Sequence, residues 1–201
     1  MARENLLVVI FGDMLMTIKS QSKGHYKNVG KAFENDFKKS VNSQHLLIRL
    51  NDPPQSFGGG TARFSIKNPC DYLLMDTKHR TLVCLELKTT KFKSISYEDV
   101  NSDDNKSRMI HKHQISGLTK FSEYSCVEAG FLFNFRDEKN ACERCYFMSV
   151  EDFNNMVKND NKHSCNELDI LTNGAIKVQG EKKRTRYTWD IDSLLNAIAE
   201  K

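Results

Sequence analysis

Apolar residues recur along the first half of this chain with two periods, and each period predicts a different type of element. From residue 29 onward apolar side chains return every four positions, which predicts a helix with one buried stripe. Residues 45–50 read as a strand, and residues 63–74 and 81–87 read as two further strands that the polar turn at 76–80 joins. The helical stripe consists of Val29, Phe33, Phe37 and Val41.

The second half of the chain shows the same two patterns. Residues 94–107 are polar and charged, so we interpret them as a mobile loop, and the spacing at 108–124 predicts a helix. Strands are predicted at 129–135 and 143–148. The remaining predicted elements are a short helix opened by Ser149 and Asp152, a basic hairpin-like segment at 177–189, and a last helix containing Ile191, Leu194, Leu195 and Ile198. The mixture predicts an α/β protein with a mixed central sheet flanked by helices.

The chain predicts one main domain with an N-terminal extension. Residues 1–27 read as an extension or arm, and residues 28–201 as the domain. The apolar run at 6–11 is interrupted at Asp13, well short of the roughly 20 residues that a membrane span needs. Residues 51–66 contain two prolines and three consecutive glycines, so we expect a projecting loop there.

Composition narrows the class of protein. Hydrophobic residues make up 39% of the chain and charged residues 28%, as in a soluble globular protein. The net charge of +4 is compatible with a nucleic-acid partner without requiring one. Six cysteines are scattered without the spacing of a disulfide framework, so we expect reduced thiols and a cytoplasmic protein.

The segment with the clearest chemistry is Asp71, fourteen intervening residues, and then Glu86-Leu87-Lys88. Side chains alternate between the faces of a strand, so Glu86 and Lys88 share one face about 7 Å apart. The turn at 76–80 folds the two strands together and brings Asp71 beside Glu86. Two adjacent carboxylates repel each other, and a hard divalent cation resolves that repulsion. The alternative is a surface Glu-Lys pair beside an ordinary turn aspartate.

Three further features accompany this constellation. Glu34 lies at the edge of the apolar helical stripe, and Gln114 falls among apolar residues of the 108–124 helix, where a buried amide needs hydrogen-bond partners. Lys88, Lys91 and Lys93 form a basic run suited to phosphate contacts. Each feature alone also has an ordinary structural reading: a solvated glutamate, a satisfied core glutamine and a solvated lysine face.

The order of these parts resembles the RecU family of Holliday junction resolvases, in the form found in phages and prophages. The resemblance rests on Gly30-Lys31-Ala32-Phe33-Glu34, Asn68-Pro69-Cys70-Asp71, Glu86-Leu87-Lys88 and His113-Gln114, and it runs from about residue 29 to the C-terminus. That family belongs to the PD-(D/E)xK nucleases, which share a restriction-endonuclease-like fold. The resemblance therefore implies a metal-dependent endonuclease that cuts four-way DNA junctions.

The resemblance also implies roles for individual residues. Asp71, Glu86 and the carbonyl of Leu87 would be ligands of Mg²⁺, with Mn²⁺ as a substitute. Lys88 would be the catalytic lysine, Glu34 an accessory acid and Gln114 a supporting amide. The protein would be a homodimer without a small-molecule substrate or a membrane partner. Residues 51–66 would correspond to the stalk that enters the junction. The DNA-contacting side chains would be basic, namely Arg63, Lys67, Lys91, Lys93, Arg184 and Arg186.

Several alternatives remain open from the sequence. Cys142 and Cys145, followed by His163 and Cys165, suggest a zinc site, although the second spacing is short and Cys145 begins an apolar strand. Arg184, Arg186, Tyr187 and Trp189 suggest either a nucleic-acid platform or an edge strand with a core tryptophan. Two other functions fit the same residues: a nuclease for other branched or duplex DNA, and an inert binding module on the nuclease fold.

Overall fold

A computed structural model describes residues 28–51, 68–99, 108–137, 142–159 and 162–201. The helices are α1 (Val29–Ser40), α2 (Lys112–Ser122), α3 (Val150–Asn159), α4 (Glu167–Thr172) and α5 (Ile191–Ala199). The strands are β1 (Leu46–Arg49), β2 (Tyr72–Asp76), β3 (Thr81–Thr90), β4 (Ser94–Ser96), β5 (Val127–Asp137), β6 (Cys142–Ser149), β7 (Ser164–Asn166), β8 (Ile176–Val178), β9 (Gly180–Lys182) and β10 (Tyr187–Trp189). None of the helices in these ranges is long and apolar enough to cross a membrane.

The central sheet has six strands in the order β1-β2-β3-β5-β6-β8. The pair β3 and β5 is parallel, and every other neighbouring pair is antiparallel. The parallel pair arises because α2 carries the chain back across the sheet between β3 and β5, as parallel strands require a crossover. The predicted α/β class, with a mixed central sheet flanked by helices, is confirmed.

Both faces of the sheet are buried by separate clusters of apolar side chains. One cluster joins α2, α3 and α4 to the face that carries Phe131, Phe133 and Phe135. The other joins α1 and α5 to the face that carries Leu85 and Leu132. The predicted stripe of α1 is confirmed, since Phe33 and Phe37 are buried in this second cluster. The central strands are therefore covered on both sides, as the apolar run of β5 requires.

A short turn joins β2 to β3, as predicted. The carboxylate of Asp76 accepts hydrogen bonds from the backbone N–H of Lys78 at 3.0 Å and from the ring of His79 at 2.6 Å. Arg80 completes the turn with a left-handed φ of 59°. The tight turn sets the register in which Tyr72 faces Leu85, and this register positions the residues that precede Tyr72.

Some of the predicted elements differ in the structure. Residues 94–99 are not a mobile loop: Ser94–Ser96 forms β4, which pairs with β7, because Ile95 and Tyr97 alternate with polar residues and are fully buried. The rest of that predicted loop lies outside the described residues. The helix predicted at 108–124 begins only at Lys112, because Ile110 is held in an extended bridge with Tyr97.

The strand predicted at 63–74 begins only at Tyr72. Asp71, directly before it, already donates its backbone N–H to the Leu85 carbonyl at 3.0 Å and accepts from the Leu50 N–H at 2.9 Å. Residues 63–67 lie outside the described part of the chain. The same holds for the predicted N-terminal extension at 1–27 and for nearly all of the predicted stalk at 51–66, of which the structure describes only Asn51.

Candidate active site

Asp71 lies directly before β2, at the position that the strand register places opposite Glu86 on β3. Its Oδ2 accepts a hydrogen bond from the backbone N–H of Leu87 at 2.8 Å. Burial raises the pKa of Asp71, and the Leu87 N–H and the charge of Lys88 offset this increase only in part. The predicted neighbourhood of the two carboxyl-bearing positions is therefore present, and its negative charge is incompletely compensated.

Glu86, Lys88 and Gln114 form a closed triangle of polar contacts. Glu86 is only 4% exposed, although it sits on an otherwise apolar strand. Lys88 Nζ lies 3.1 Å from Glu86 Oε1 and 3.0 Å from Gln114 Oε1. The Gln114 side-chain amide N–H donates to the same Glu86 oxygen. The structure thus brings these three predicted residues together on one face of the sheet.

Gln114 can reach this face because the start of α2 is held from two sides. Its Oε1 also accepts the backbone N–H of His111 at 3.0 Å, which fixes the orientation of the amide. Glu98 accepts from the His111 ring at 2.8 Å and from the Lys112 backbone N–H at 2.7 Å. Carboxylates at a helix N-terminus satisfy N–H groups that have no partner within the helix.

The middle of α2 packs on the segment that leads into Asp71. A Cβ added at Gly117 would lie 3.1 Å from both the Cα and the carbonyl oxygen of Pro69. The absence of a side chain therefore lets the helix approach the backbone two residues before Asp71. Helix α2 is in this way placed against β3 and against the segment that leads into Asp71.

Glu34 lies on α1, on the other side of Tyr72 from the triangle. Its Oε2 accepts from Arg49 Nε and from the Tyr72 hydroxyl, each at 3.3 Å. The negative charge of Glu34 contributes to the raised pKa of Asp71, and Arg49 acts in the opposite direction. The charge of Glu34 therefore acts on Asp71, the first member of the acidic pair Asp71 and Glu86. The hydrogen bonds of Glu34 go to Arg49 and Tyr72.

The predicted DNA-contacting residues divide into three groups. Lys91 and Lys93 are exposed in the segment directly after β3, where that strand leaves the acidic pair. Arg184 and Arg186 are exposed in the connection between β9 and β10. Arg63 and Lys67 lie outside the described residues.

The nucleic-acid platform suggested by the aromatic residues near the C-terminus is wrong. Tyr187 and Trp189 are 8% and 2% exposed and stack on each other at 5.2 Å. They pack against α1, where Phe33 meets Trp189 edge-on at 6.2 Å. Their faces are occupied by protein, so they cannot stack on bases.

The zinc site is also not formed. Cys145 belongs to the apolar cluster on the α1 and α5 side of the sheet, whereas Cys165 belongs to the cluster on the opposite side. Burial raises the pKa of the Cys145 thiol well above its usual value, which opposes the thiolate form that zinc binds. Within the described ranges no group of three or more His, Cys, Asp or Glu side chains is arranged to hold a metal ion by itself.

Further residues that surround Glu34 were not predicted as part of the site. The side chains of Lys31, Glu34 and Lys38 line one cleft on α1, and Arg49 and Tyr72 close its other wall. The spacing of three and four residues between the α1 members was a visible signal of a shared helical face. The contribution of Arg49 had no such signal, because β1 meets α1 only in the folded chain.

The acidic pair fits a hard divalent cation. Asp71 and Glu86 supply carboxylate oxygens, which Mg²⁺ prefers as ligands. The N–H of Leu87 points toward Asp71, and the carbonyl of a strand residue points to the same edge as its N–H. Two carboxylates and one carbonyl leave coordination positions for water, which Mg²⁺ usually retains. The raised pKa of Asp71 indicates that a cation there would relieve an existing electrostatic cost.

Comparison with known proteins finds chains that are similar in sequence and in structure. No protein-family model matches the chain. It is 30% identical over 186 residues to the SPbeta prophage-derived uncharacterized protein YotM of Bacillus subtilis, covering 87% of this chain and 88% of that protein. Among solved structures, it is similar to Hjc of Archaeoglobus fulgidus, described as a Holliday junction resolvase from an archaeal hyperthermophile. That similarity has 19% identity and a TM-score of 0.40, over 74% of this chain and 95% of that one.

Proposed function

The chain belongs to the family of the SPbeta prophage-derived protein YotM, and we propose that it is a Mg²⁺-dependent DNA endonuclease. The observation that carries this proposal is the convergence of Asp71, Glu86 and Lys88 at one end of β3, with Lys88 Nζ 3.1 Å from Glu86. A buried glutamate and a partly buried lysine on an otherwise apolar strand incur a desolvation cost. A role in phosphodiester hydrolysis would explain why the carboxylate of Glu86 and the ammonium group of Lys88 are both present at this position.

In this proposal Asp71, Glu86 and the Leu87 carbonyl hold Mg²⁺, with Mn²⁺ as a substitute. When bound there, the ion would neutralise charge at the phosphate and help to activate the attacking water. Lys88, held between Glu86 and Gln114, presents a positive charge to the phosphate as negative charge builds up in the transition state. Because these contacts restrict its side chain, the charge is already in place before the substrate binds.

Gln114 has a positioning role in this proposal. Its N–H group donates to Glu86 and its oxygen accepts from Lys88 and from the His111 backbone. Each of these contacts restricts a neighbour, so Gln114 holds the carboxylate and the ammonium at one separation. Groups that orient metal ligands in this way influence metal affinity without touching the ion. Glu34 acts as an accessory acid through its electrostatic coupling to Asp71.

We further propose that the substrate is a four-way DNA junction and that the protein acts as a homodimer. Support comes from the resemblance of the motif order to the RecU family and from the exposed basic residues beside the site, Lys91 and Lys93. Two copies of one site related by twofold symmetry would cut two strands of opposite polarity.

The experiment that tests the function compares a labelled four-way junction with a matched linear duplex, each with and without Mg²⁺. Symmetric Mg²⁺-dependent nicking confined to the junction is the expected result, with light scattering on the same preparation giving twice the mass of 23.1 kDa. Cleavage of every substrate would support the nuclease function and would contradict the proposed preference for junctions. Binding without cleavage in Mg²⁺ or Mn²⁺ would leave an inert DNA-binding module.

A further inference from the structure

A polar cleft of about 470 Å³ lies beside the acidic pair, between α1 and β1. Its α1 wall carries Lys31, Glu34 and Lys38, and its other wall carries Arg49 and Tyr72. The hydroxyl of Tyr72 touches Glu34 at 3.3 Å, and Tyr72 follows Asp71 directly in the chain. The charges of Glu34 and Arg49 in the cleft both act on Asp71, so the cleft opens close to the proposed metal site.

The cleft has an excess of positive charge. Three basic side chains, Lys31, Lys38 and Arg49, face one acidic side chain, Glu34. Arg49 is paired with Glu34 at 3.3 Å, which leaves the two lysines as the excess. Both lysines are exposed, so they can contact an anion without first being freed from the core.

The two lysines lie seven residues apart on α1, which separates their backbone positions by about 10 Å along the helix axis. A single bound anion would occupy one end of such a cleft, whereas a chain of phosphates can follow its whole length. These dimensions favour one strand of nucleic acid.

We propose that this cleft binds the phosphate backbone of a single DNA strand next to the phosphate that is cleaved. The inference rests on the proposed nuclease function and adds to it the path of the strand, from the α1 cleft to the acidic pair and then to Lys91 and Lys93. Phosphate contacts of this kind fix the register of the DNA on the protein and carry no sequence information.

The test measures DNA binding against salt in a Glu86→Gln background, in which binding proceeds without cleavage. On a labelled four-way junction, the double variant Lys31→Gln/Lys38→Gln should lower the slope of log affinity against log salt by about 1.8, since each phosphate contact to duplex DNA contributes about 0.9. The matched control is Lys39→Gln/Lys120→Gln. It removes two exposed lysines from the last turns of α1 and α2, outside the lining of the cleft.

The outcomes separate the two proposals. Equal slopes and affinities for the double variant and its control would overturn the cleft assignment, while Mg²⁺-dependent cleavage by the wild-type chain would still support the nuclease. Failure of the wild-type chain to cleave any DNA would overturn the nuclease itself. Inorganic phosphate at matched ionic strength provides a third comparison. Competition by phosphate that disappears in the Lys31→Gln/Lys38→Gln protein would show a single-anion site and overturn the strand assignment.

Discussion

At the scale of single residues, the candidate site depends on the side-chain amide of Gln114, which contacts the charged groups of both Glu86 and Lys88. Lys88 reaches Glu86 at 3.1 Å and Gln114 at 3.0 Å, and Gln114 in turn donates to Glu86. The lysine partly neutralises Glu86, whereas the pKa of Asp71 remains raised by burial. Burial therefore disfavours the charged form of Asp71, and the charge of Lys88 acts against this effect.

Replacing either proposed metal ligand should abolish cleavage. We expect Asp71→Asn and Glu86→Gln to lower turnover by about 10³-fold or more, because the metal provides several kcal/mol of transition-state stabilisation. DNA affinity should change little, since the phosphate-binding lysines remain. Single-turnover cleavage and anisotropy binding measure the two quantities separately. A wild-type rate in either variant would contradict the metal-ligand assignment.

Removing the positioning amide should weaken metal binding more than it destabilises the protein. We expect Gln114→Ala to raise the Mg²⁺ concentration needed for half-maximal activity by about 10- to 100-fold, the usual effect of losing a group that orients ligands. Titration of Mn²⁺ by calorimetry checks the same change without the reaction.

The matched control for this variant is Ser116→Ala, which alters an exposed position on the same helix. It should leave both the metal titration and the activity at wild-type values. An unchanged Mg²⁺ requirement in Gln114→Ala would show that the amide only fills space in the core.

At the scale of elements, the turn between β2 and β3 controls the site, since it sets the register that brings Asp71 opposite Glu86. Asp76 holds this turn through hydrogen bonds to Lys78 and His79. Burial by itself would raise the pKa of Asp76, but the hydrogen bonds from the His79 side chain and from the backbone N–H groups of Lys78 and His79 outweigh it. The pKa in the folded protein is therefore below the ordinary value.

This lowered pKa predicts a pH dependence of stability. A carboxyl whose pKa is lower in the folded state stabilises the fold above its unfolded pKa of about 3.9 and loses this contribution as the pH falls through the folded value. We expect the wild type to be more stable than Asp76→Asn. This difference in unfolding free energy should be largest at neutral pH and should shrink below about pH 4.

Urea denaturation at a series of pH values measures this difference. The matched comparison is Asp99→Asn, which replaces an aspartate outside this turn. If the difference in unfolding free energy between wild type and Asp76→Asn stayed constant down to pH 2, Asp76 would not stabilise the turn as an ionised, hydrogen-bonded carboxylate.

At the scale of the whole molecule, two apolar clusters on opposite faces of one sheet hold the site between α1 and α2. Each helix brings one functional side chain to the sheet, Glu34 from α1 and Gln114 from α2. A ligand bound by the strands would therefore be linked to the packing of both layers. Ligand binding to the folded state alone stabilises the whole fold by mass action.

Mg²⁺ should accordingly stabilise the wild-type protein against thermal unfolding. At about 100 times its dissociation constant the expected gain is about 2.7 kcal/mol. Differential scanning calorimetry with increasing Mg²⁺ measures it, and Glu86→Gln should lose most of the response. A response of the same size in Glu86→Gln would place the stabilising ion elsewhere on the protein.

The sequence by itself determined the local features of this protein. Strand alternation placed Glu86 and Lys88 on one face, and the short turn after Asp76 brought Asp71 beside them, because both relations depend only on neighbouring residues. The buried stripe of α1 and the aromatic face of β5 follow from periodicity in the same way.

Only the tertiary structure decided which distant residues meet. Gln114 reaches Lys88 because α2 docks against Pro69 through Gly117. Arg49 faces Glu34 because β1 pairs with β2 at the edge of the sheet. Cys145 and Cys165 were separated by the sheet itself. The physical reason is that periodicity specifies which face of an element is buried, whereas the packing of one element on another decides what that face meets.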